Sequence, residues 1–137
     1  MGDEIRVGDR AARTLAVGEE HIELFARLTG DRNPLHFDDA FARGTRFGRR
    51  VVQGGVTAGL LNAIVAMDLP GPGSVFMEQQ LRYLAPVHPG DTITAAVTIT
   101  SVHATKPVYG LAVRVDRQDG VVVLEGTAVA YRMRPAD

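Results

Sequence analysis

The stretch GVTAGLLNAIVAMDLP, residues 55–70, is apolar nearly all round, with Asn62 the only strongly polar side chain before Asp68. Pro70 cannot continue a helix and marks its end. A helix that is apolar on all sides has to be covered on most of them. The following residues supply a cover: after a Gly71-Pro72-Gly73 turn the polarity switches to a period of two, and residues 74–83, 92–102, 108–116 and 121–132 read as strands. The clearest alternation is TITAAVTI, residues 92–99. The breaks Pro89-Gly90-Asp91 and Asp119-Gly120 are short turns, so the last two strands form a hairpin and the sheet is largely antiparallel. One buried helix on an antiparallel sheet is an α+β layer design.

A sheet of this size leaves one edge strand and one face poorly covered, which favours pairing with a second copy. A monomer whose edge is blunted by the N-terminal segment is the alternative. The chain has 137 residues, 45% of them hydrophobic, which suits one domain, residues 1–137, with its own core. Lysine and arginine total 15 against 16 for aspartate and glutamate, and the net charge of -1 gives no general attraction to nucleic acid or anionic membrane. No apolar run approaches the roughly 20 residues that span a bilayer, and the start Met1-Gly2-Asp3-Glu4 lacks the apolar core of a signal peptide, so a cytoplasmic protein is expected. The absence of cysteine excludes disulfides, thiolate nucleophiles and cysteine-ligated metals.

Upstream of the apolar helix, Gly18 can cap a helix over residues 18–29, with Glu19 and Glu20 at its positive end, an apolar face of Ile22, Leu24, Phe25 and Leu28, and Gly30 as its stop. Asp38 and Asp39 can cap a short helix through Phe41 to Arg43. Between them lies TGDRNPLH, residues 29–36, which reads as a loop pinned at both ends. Pro34 removes backbone freedom, Asn33 can bond neighbouring backbone, and Gly30 lets the chain leave the helix sharply. Asp31 and His36 thus sit on one rigid bracket. A carboxylate and an imidazole so placed could share a water molecule, one taking its proton while the other orients it or returns a proton, which is hydration or dehydration chemistry. On spacing alone, Asp31 could equally cap a turn and His36 bond a core backbone group. A metal site of His36 with Asp38 and Asp39 is a weaker reading, because no second histidine is nearby and His88 and His103 fall in the strand region.

The run FARLTGDRNPLHFDDAFA, residues 25–42, resembles the hydratase-2 motif of the MaoC-like family, which includes (R)-specific enoyl-CoA hydratases. RFGRRVVQGG, residues 46–55, resembles that family's approach to its central helix, and LRYLAPVHPGDTI, residues 81–93, with Lys106-Pro107, resembles its strand region. The resemblance covers about residues 15–131. It implies a hot-dog fold, in which the sheet wraps a long central helix, and a homodimer with active sites near the subunit interface. The implied reaction adds water reversibly to a trans-2-enoyl thioester, giving the (R)-3-hydroxyacyl product without a cofactor or metal.

Resemblance places the family's catalytic aspartate and histidine on Asp31 and His36. The oxyanion site is then expected at the backbone N–H groups of Gly54 and Gly55, where unpaired donors and the helix dipole favour negative charge and glycine allows a thioester to approach. A tight turn into the helix accounts for the same glycines. Asn33, Gln53 and Asn62 are candidates to support the catalytic pair. Gln53 stands where relatives commonly have histidine, and Asn62 stands where some have a serine, but each can still hydrogen-bond. Asn62 could also be a satisfied core polar group.

Arg43, Arg46, Arg49 and Arg50 cluster in RGTRFGRR and could meet the phosphates of coenzyme A or the acidic surface of an acyl carrier protein, although such a run is also an ordinary solvated face. Lys106 is open to the same two readings. Phe76, Leu81 and central-helix residues after Gly55 are candidates to line an acyl slot, or simply core. A hot-dog thioesterase is the competing enzyme, but it would normally carry a carboxylate on or near the central helix, where only Asp68 at the far end is present. An acyl-thioester binding module without chemistry is the third reading.

Overall fold

The protein is described by a computed structural model over residues 4–135. The ends of the expected 1–137 domain, including Met1-Gly2-Asp3, lie outside the described residues. The elements run β1 (Arg10–Ala16), α1 (Glu19–Thr29), α2 (Pro34–Phe37), α3 (Asp39–Arg43), α4 (Gly54–Met67), β2 (Ser74–Tyr83), β3 (Thr92–Val102), β4 (Val108–Arg117) and β5 (Val122–Arg132). Five strands form one sheet in the order β1-β3-β4-β5-β2, with every neighbouring pair antiparallel. β4 and β5 make the expected hairpin, turned at Gly120, whose φ of 84° is a conformation glycine adopts without strain.

The alternation that announces β3 is what builds the core. Ile93, Ala95, Val97 and Ile99 are fully buried on one face and meet Leu111, Val113 and Val115 of β4 in the cluster that also holds Leu61, Ile64 and Val65 of α4. Burying each of the larger side chains contributes about 1.5–3 kcal/mol. The helix laid against the sheet is a hot-dog arrangement, and the α+β expectation holds.

Three features differ from the sequence reading. β1 was expected only as an N-terminal segment that might blunt an edge, and it is a strand paired along β3 from Arg10–Thr98 to Ala16–Thr92. RAARTLA has few β-branched or aromatic residues, so β3 rather than local propensity sets its conformation. α4 is not covered on most sides by its own chain. Its buried residues are Thr57, Leu61, Ile64 and Val65, while Gly59, Asn62 and Met67 lie on an exposed face. Finally, part of the expected loop is helical, because Pro34 supplies the preset φ of a first helical residue and the Asn33 side chain accepts from the Leu35 amide at 3.0 Å.

β2 forms an edge of the sheet and exposes Val75, Met77 and Tyr83. Among the described residues, no helix is long and apolar enough to cross a membrane.

Candidate active site

Three successive turns shape the bracket. The Thr29 hydroxyl donates to the Phe25 carbonyl at 2.8 Å and accepts from the Asp31 amide at 3.1 Å. Asp31 Oδ1 then accepts from the Asn33 amide at 3.2 Å, and Asn33 Oδ1 from the Leu35 amide. Short polar side chains that bond the backbone two residues on make such a path stable without helix or strand. Arg32 secures it from outside, pairing with Glu23 of α1 at 2.7 Å and lying 5.4 Å from the Phe37 ring centre. Gly30, with φ of 85°, makes the sharp exit from α1.

His36 and Asp31 are brought together. Nε2 of His36 stands 3.5 Å from Asp31 Oδ2, longer than a direct hydrogen bond but short enough for one water to touch both. The imidazole is 8% exposed, and its Nδ1 lies 2.8 Å from the Val51 carbonyl. A carbonyl only accepts, so Nδ1 carries the hydrogen, and Nε2 of a neutral ring presents a lone pair towards the carboxylate. Two acceptors facing each other can be joined by one water that donates an O–H to each.

The segment that holds His36 is itself strapped down. The Val51 amide donates to the Leu35 carbonyl at 3.0 Å and the Val52 amide to the Val87 carbonyl at 2.7 Å, while the Arg50 carbonyl meets Nδ1 of His88 at 2.7 Å. Arg50 extends the strap through its side chain. Its guanidinium bonds Asp39 at 3.0 Å, the His36 carbonyl at 3.0 Å and both carboxylate oxygens of Glu19. Arg50 is therefore an internal clamp on α1, α3 and His36, which is a correction to its expected place among phosphate-binding residues. A side chain 17% exposed with its donors committed has little left for a phosphate. Arg43, Arg46 and Arg49 are exposed, and Arg46 lies 5.7 Å from the Phe47 ring centre.

At the start of α4, Gln53 is the N-cap residue but makes no side-chain cap bond. The first N–H groups of a helix have no intrahelical partner, and the Gly54 and Gly55 amides find none elsewhere among the described residues. Gln53, 1% exposed, turns its amide nitrogen to the Ile22 carbonyl at 3.0 Å and leaves Oε1 enclosed without a partner. The two glycines were expected to leave room for a thioester. Packing also calls for glycine here: a Cβ on Gly55 would collide with the Phe25 ring, and one on Gly54 would come 2.9 Å from Tyr83 Cε1.

His36, Gly54, Thr57 and Tyr83 open onto one cavity of about 620 Å³ whose other walls are mainly apolar, including Leu35, Val51, Val52, Leu84, Val87 and Val123. Phe76 and Leu81 are not among its lining residues and pack against the core, because their side chains face the sheet's inner layer. Asn62 is exposed and makes no hydrogen bond among the described residues, so within one chain it neither fills the core nor supports Asp31. It follows Leu61 by one residue and is turned about 100° away from the buried stripe. His88 bonds the strap, and Nδ1 of His103 accepts from the Thr105 and Lys106 amides at 3.1 and 3.0 Å. Tyr83 escaped the sequence reading, and Thr57 entered it only among the central-helix residues after Gly55 expected to line the slot, although a lone hydroxyl one turn after Gly54 was a usable signal.

Known proteins resemble this chain over most of its length. A family model described as MaoC like domain matches residues 4–131. The chain is 38% identical over 125 residues to a protein of Aeromonas caviae named (R)-specific enoyl-CoA hydratase, covering 91% of this chain and 93% of that one. A solved (R)-hydratase structure from A. caviae, described as involved in PHA biosynthesis, superposes with a TM-score of 0.90 at 36% identity, covering 94% of this chain and 98% of that chain. A mitochondrial dehydratase of Solanum lycopersicum, named for 3-hydroxyacyl groups on acyl carrier protein, is 34% identical over 123 residues, covering 88% of this chain and 72% of that one. A match over nearly the whole chain, together with relatives of similar length, makes this protein a member of the MaoC-like dehydratase family.

Proposed function

We propose that the protein is an (R)-specific enoyl-CoA hydratase, a hydro-lyase that adds water reversibly to a trans-2-enoyl thioester. The observation that carries this reading is a fixed pair whose histidine lines the cavity: His36 Nε2 faces Asp31 Oδ2 at 3.5 Å, with Nδ1 held by Val51. A water donating to both atoms has its oxygen lone pairs free for the β-carbon of the substrate. As the C–O bond forms, one water proton passes to the Asp31–His36 pair, electron density moves to the thioester oxygen, and a proton is returned to the α-carbon. The Gly54 and Gly55 amides, at the positive end of α4, are the donors for that oxygen. The apolar walls receive the acyl chain.

Asp68, the carboxylate a thioesterase would need near this helix, sits at the opposite end of α4 and bonds Arg13 at 2.7 Å. That arrangement favours hydration over hydrolysis. The relatives include a hydratase named for coenzyme A and a dehydratase named for acyl carrier protein, and the exposed guanidiniums of Arg43, Arg46 and Arg49 suit the phosphates of either carrier. We place the reaction in the cytoplasm and in a homodimer, with a second copy covering the β2 edge and the exposed face of α4 that bears Asn62.

Incubation with crotonyl-CoA tests the proposal. Loss of the conjugated enoyl absorbance with formation of (R)-3-hydroxybutyryl-CoA, absent in Asp31→Asn, is the expected result. Release of free coenzyme A would point instead to a thioesterase, and binding without turnover to a module that has kept the fold but not the chemistry.

A further inference from the structure

Asp31, His36 and the α4 amides leave one polar group in the same cavity without a task. Thr57 is 3% exposed and lines that cavity beside His36 and Gly54. Its hydroxyl makes no hydrogen bond with any described residue. A helical threonine usually bonds a carbonyl one turn back. Thr29 does so to Phe25 at 2.8 Å, and Thr45 bonds the Ala42 carbonyl at 2.7 Å. Thr57 forgoes that bond, although a valine would fill the same volume with no polar atom to satisfy.

Its position says what the hydroxyl is aimed at. Thr57 follows Gly54 by three residues, so the two share a face of α4 with Cβ positions about 5–6 Å apart. The Cα–Cβ bond of a helical residue tilts towards the amino end, and the side chain covers the preceding turn. The Thr57 side chain therefore stands over the turn that begins with the unpaired Gly54 amide, with its hydroxyl not spent on a backbone carbonyl. Tyr83 reaches the same place but is 56% exposed on the β2 edge, so solvent can satisfy its phenol. Thr57, 3% exposed, opens onto the cavity rather than onto the protein's outer surface.

We infer that the Thr57 hydroxyl is a further donor to the substrate's thioester oxygen, acting beside the Gly54 amide. This rests on the hydratase reading above. When the α-carbon and thioester oxygen share negative charge, the bond from Thr57 becomes charge-assisted and strengthens, whereas in the ground state it meets a neutral carbonyl. The contribution should therefore appear in kcat more than in KM.

The test is steady-state hydration of crotonyl-CoA by the full-length wild type, Thr57→Val, Thr57→Ser and Asp31→Asn. Thr57→Val is expected to lower kcat by about 10²-fold, the usual cost of one oxyanion donor, with KM changed by less than about threefold, and Thr57→Ser to restore most of the rate. A Thr57→Val enzyme within about twofold of wild type in kcat, a loss confined to KM, or a serine variant no better than valine would overturn the inference. A second readout does not depend on turnover: the infrared carbonyl stretch of bound, carbonyl-labelled butyryl-CoA should fall in wild type and Thr57→Ser and fall less in Thr57→Val. Equal shifts in all three would also overturn it. If Thr57→Val does not fold, Thr57→Ala takes its place in both measurements. A wild type that fails to hydrate any enoyl-CoA would sink the hydratase reading and this inference together. Hydration that Asp31→Asn abolishes and Thr57→Val spares would sink this inference alone.

Discussion

Along residues 29–37 the polar side chains are bonded within the chain: Thr29, Asp31 and Asn33 to successive amides, Arg32 to Glu23, and His36 to Val51. At the start of α4, where Gly54 and Thr57 line the same cavity as His36, the Gly54 and Gly55 amides, Thr57 Oγ1 and the enclosed Gln53 Oε1 have no partner among the described residues. The first wall has its geometry fixed before substrate arrives, which is what proton transfer at a defined atom needs. The second leaves donors unpaired in partly dry surroundings, a cost that a ligand acceptor can relieve. In the reaction proposed above, the first, closed wall would handle protons and the second, open wall would receive charge, the division of labour that water addition to an enoyl thioester requires.

The largest effects should come from the closed wall. Asp31→Asn and His36→Ala are each expected to lower kcat for crotonyl-CoA by about 10²- to 10⁴-fold with the fold intact, read by stopped-flow absorbance and far-UV circular dichroism. A retained rate in either variant would remove that wall from the chemistry. Next, Gly55→Ala would drive a methyl group into the Phe25 ring, and overpacking of this kind costs about 1–3 kcal/mol. The urea midpoint should fall with an unchanged slope. An unaffected midpoint would mean that α1 gives way easily and that the open wall is not held by packing. The smallest effect, a few-fold change in KM, lies in the contrast between two arginines. Arg50→Ala should cost about 1–3 kcal/mol of stability through its lost charged hydrogen bonds, whereas Arg46→Gln should leave stability unchanged and raise KM by a few-fold, about what one exposed charge contributes. The reverse pattern would return Arg50 to the substrate and make Arg46 the structural residue.

Much of this division was legible in the sequence, and for identifiable reasons. The bracket could be read because Thr29, Asp31, Asn33 and Pro34 shape the chain through local hydrogen bonds and a fixed φ, which depend on neighbours in sequence. β3 could be read because alternation reports a buried face directly. β1 could not, since its residues gain their strand conformation only from pairing with β3. Asn62 was placed inside because GVTAGLLNAIVAM is apolar on every side, but one sheet covers only the stripe of Thr57, Leu61, Ile64 and Val65. The remaining apolar surface is what the expected second copy would bury. The fate of Arg50 was hidden for a different reason. RGTRFGRR gives four cations equal standing, and only the meeting of Glu19, Asp39 and the His36 carbonyl around one of them singles it out.

The claim at the centre is that Asp31 and His36 act on one shared water. The direct measurement is a double-mutant cycle on kcat for crotonyl-CoA hydration with Asp31→Asn, His36→Ala and both together. If the water is shared, either substitution already forfeits it, and the double mutant should be little worse than the poorer single mutant. Losses that multiply, so that the double mutant falls by the product of the two single effects, would contradict a shared water and assign the two residues to separate steps.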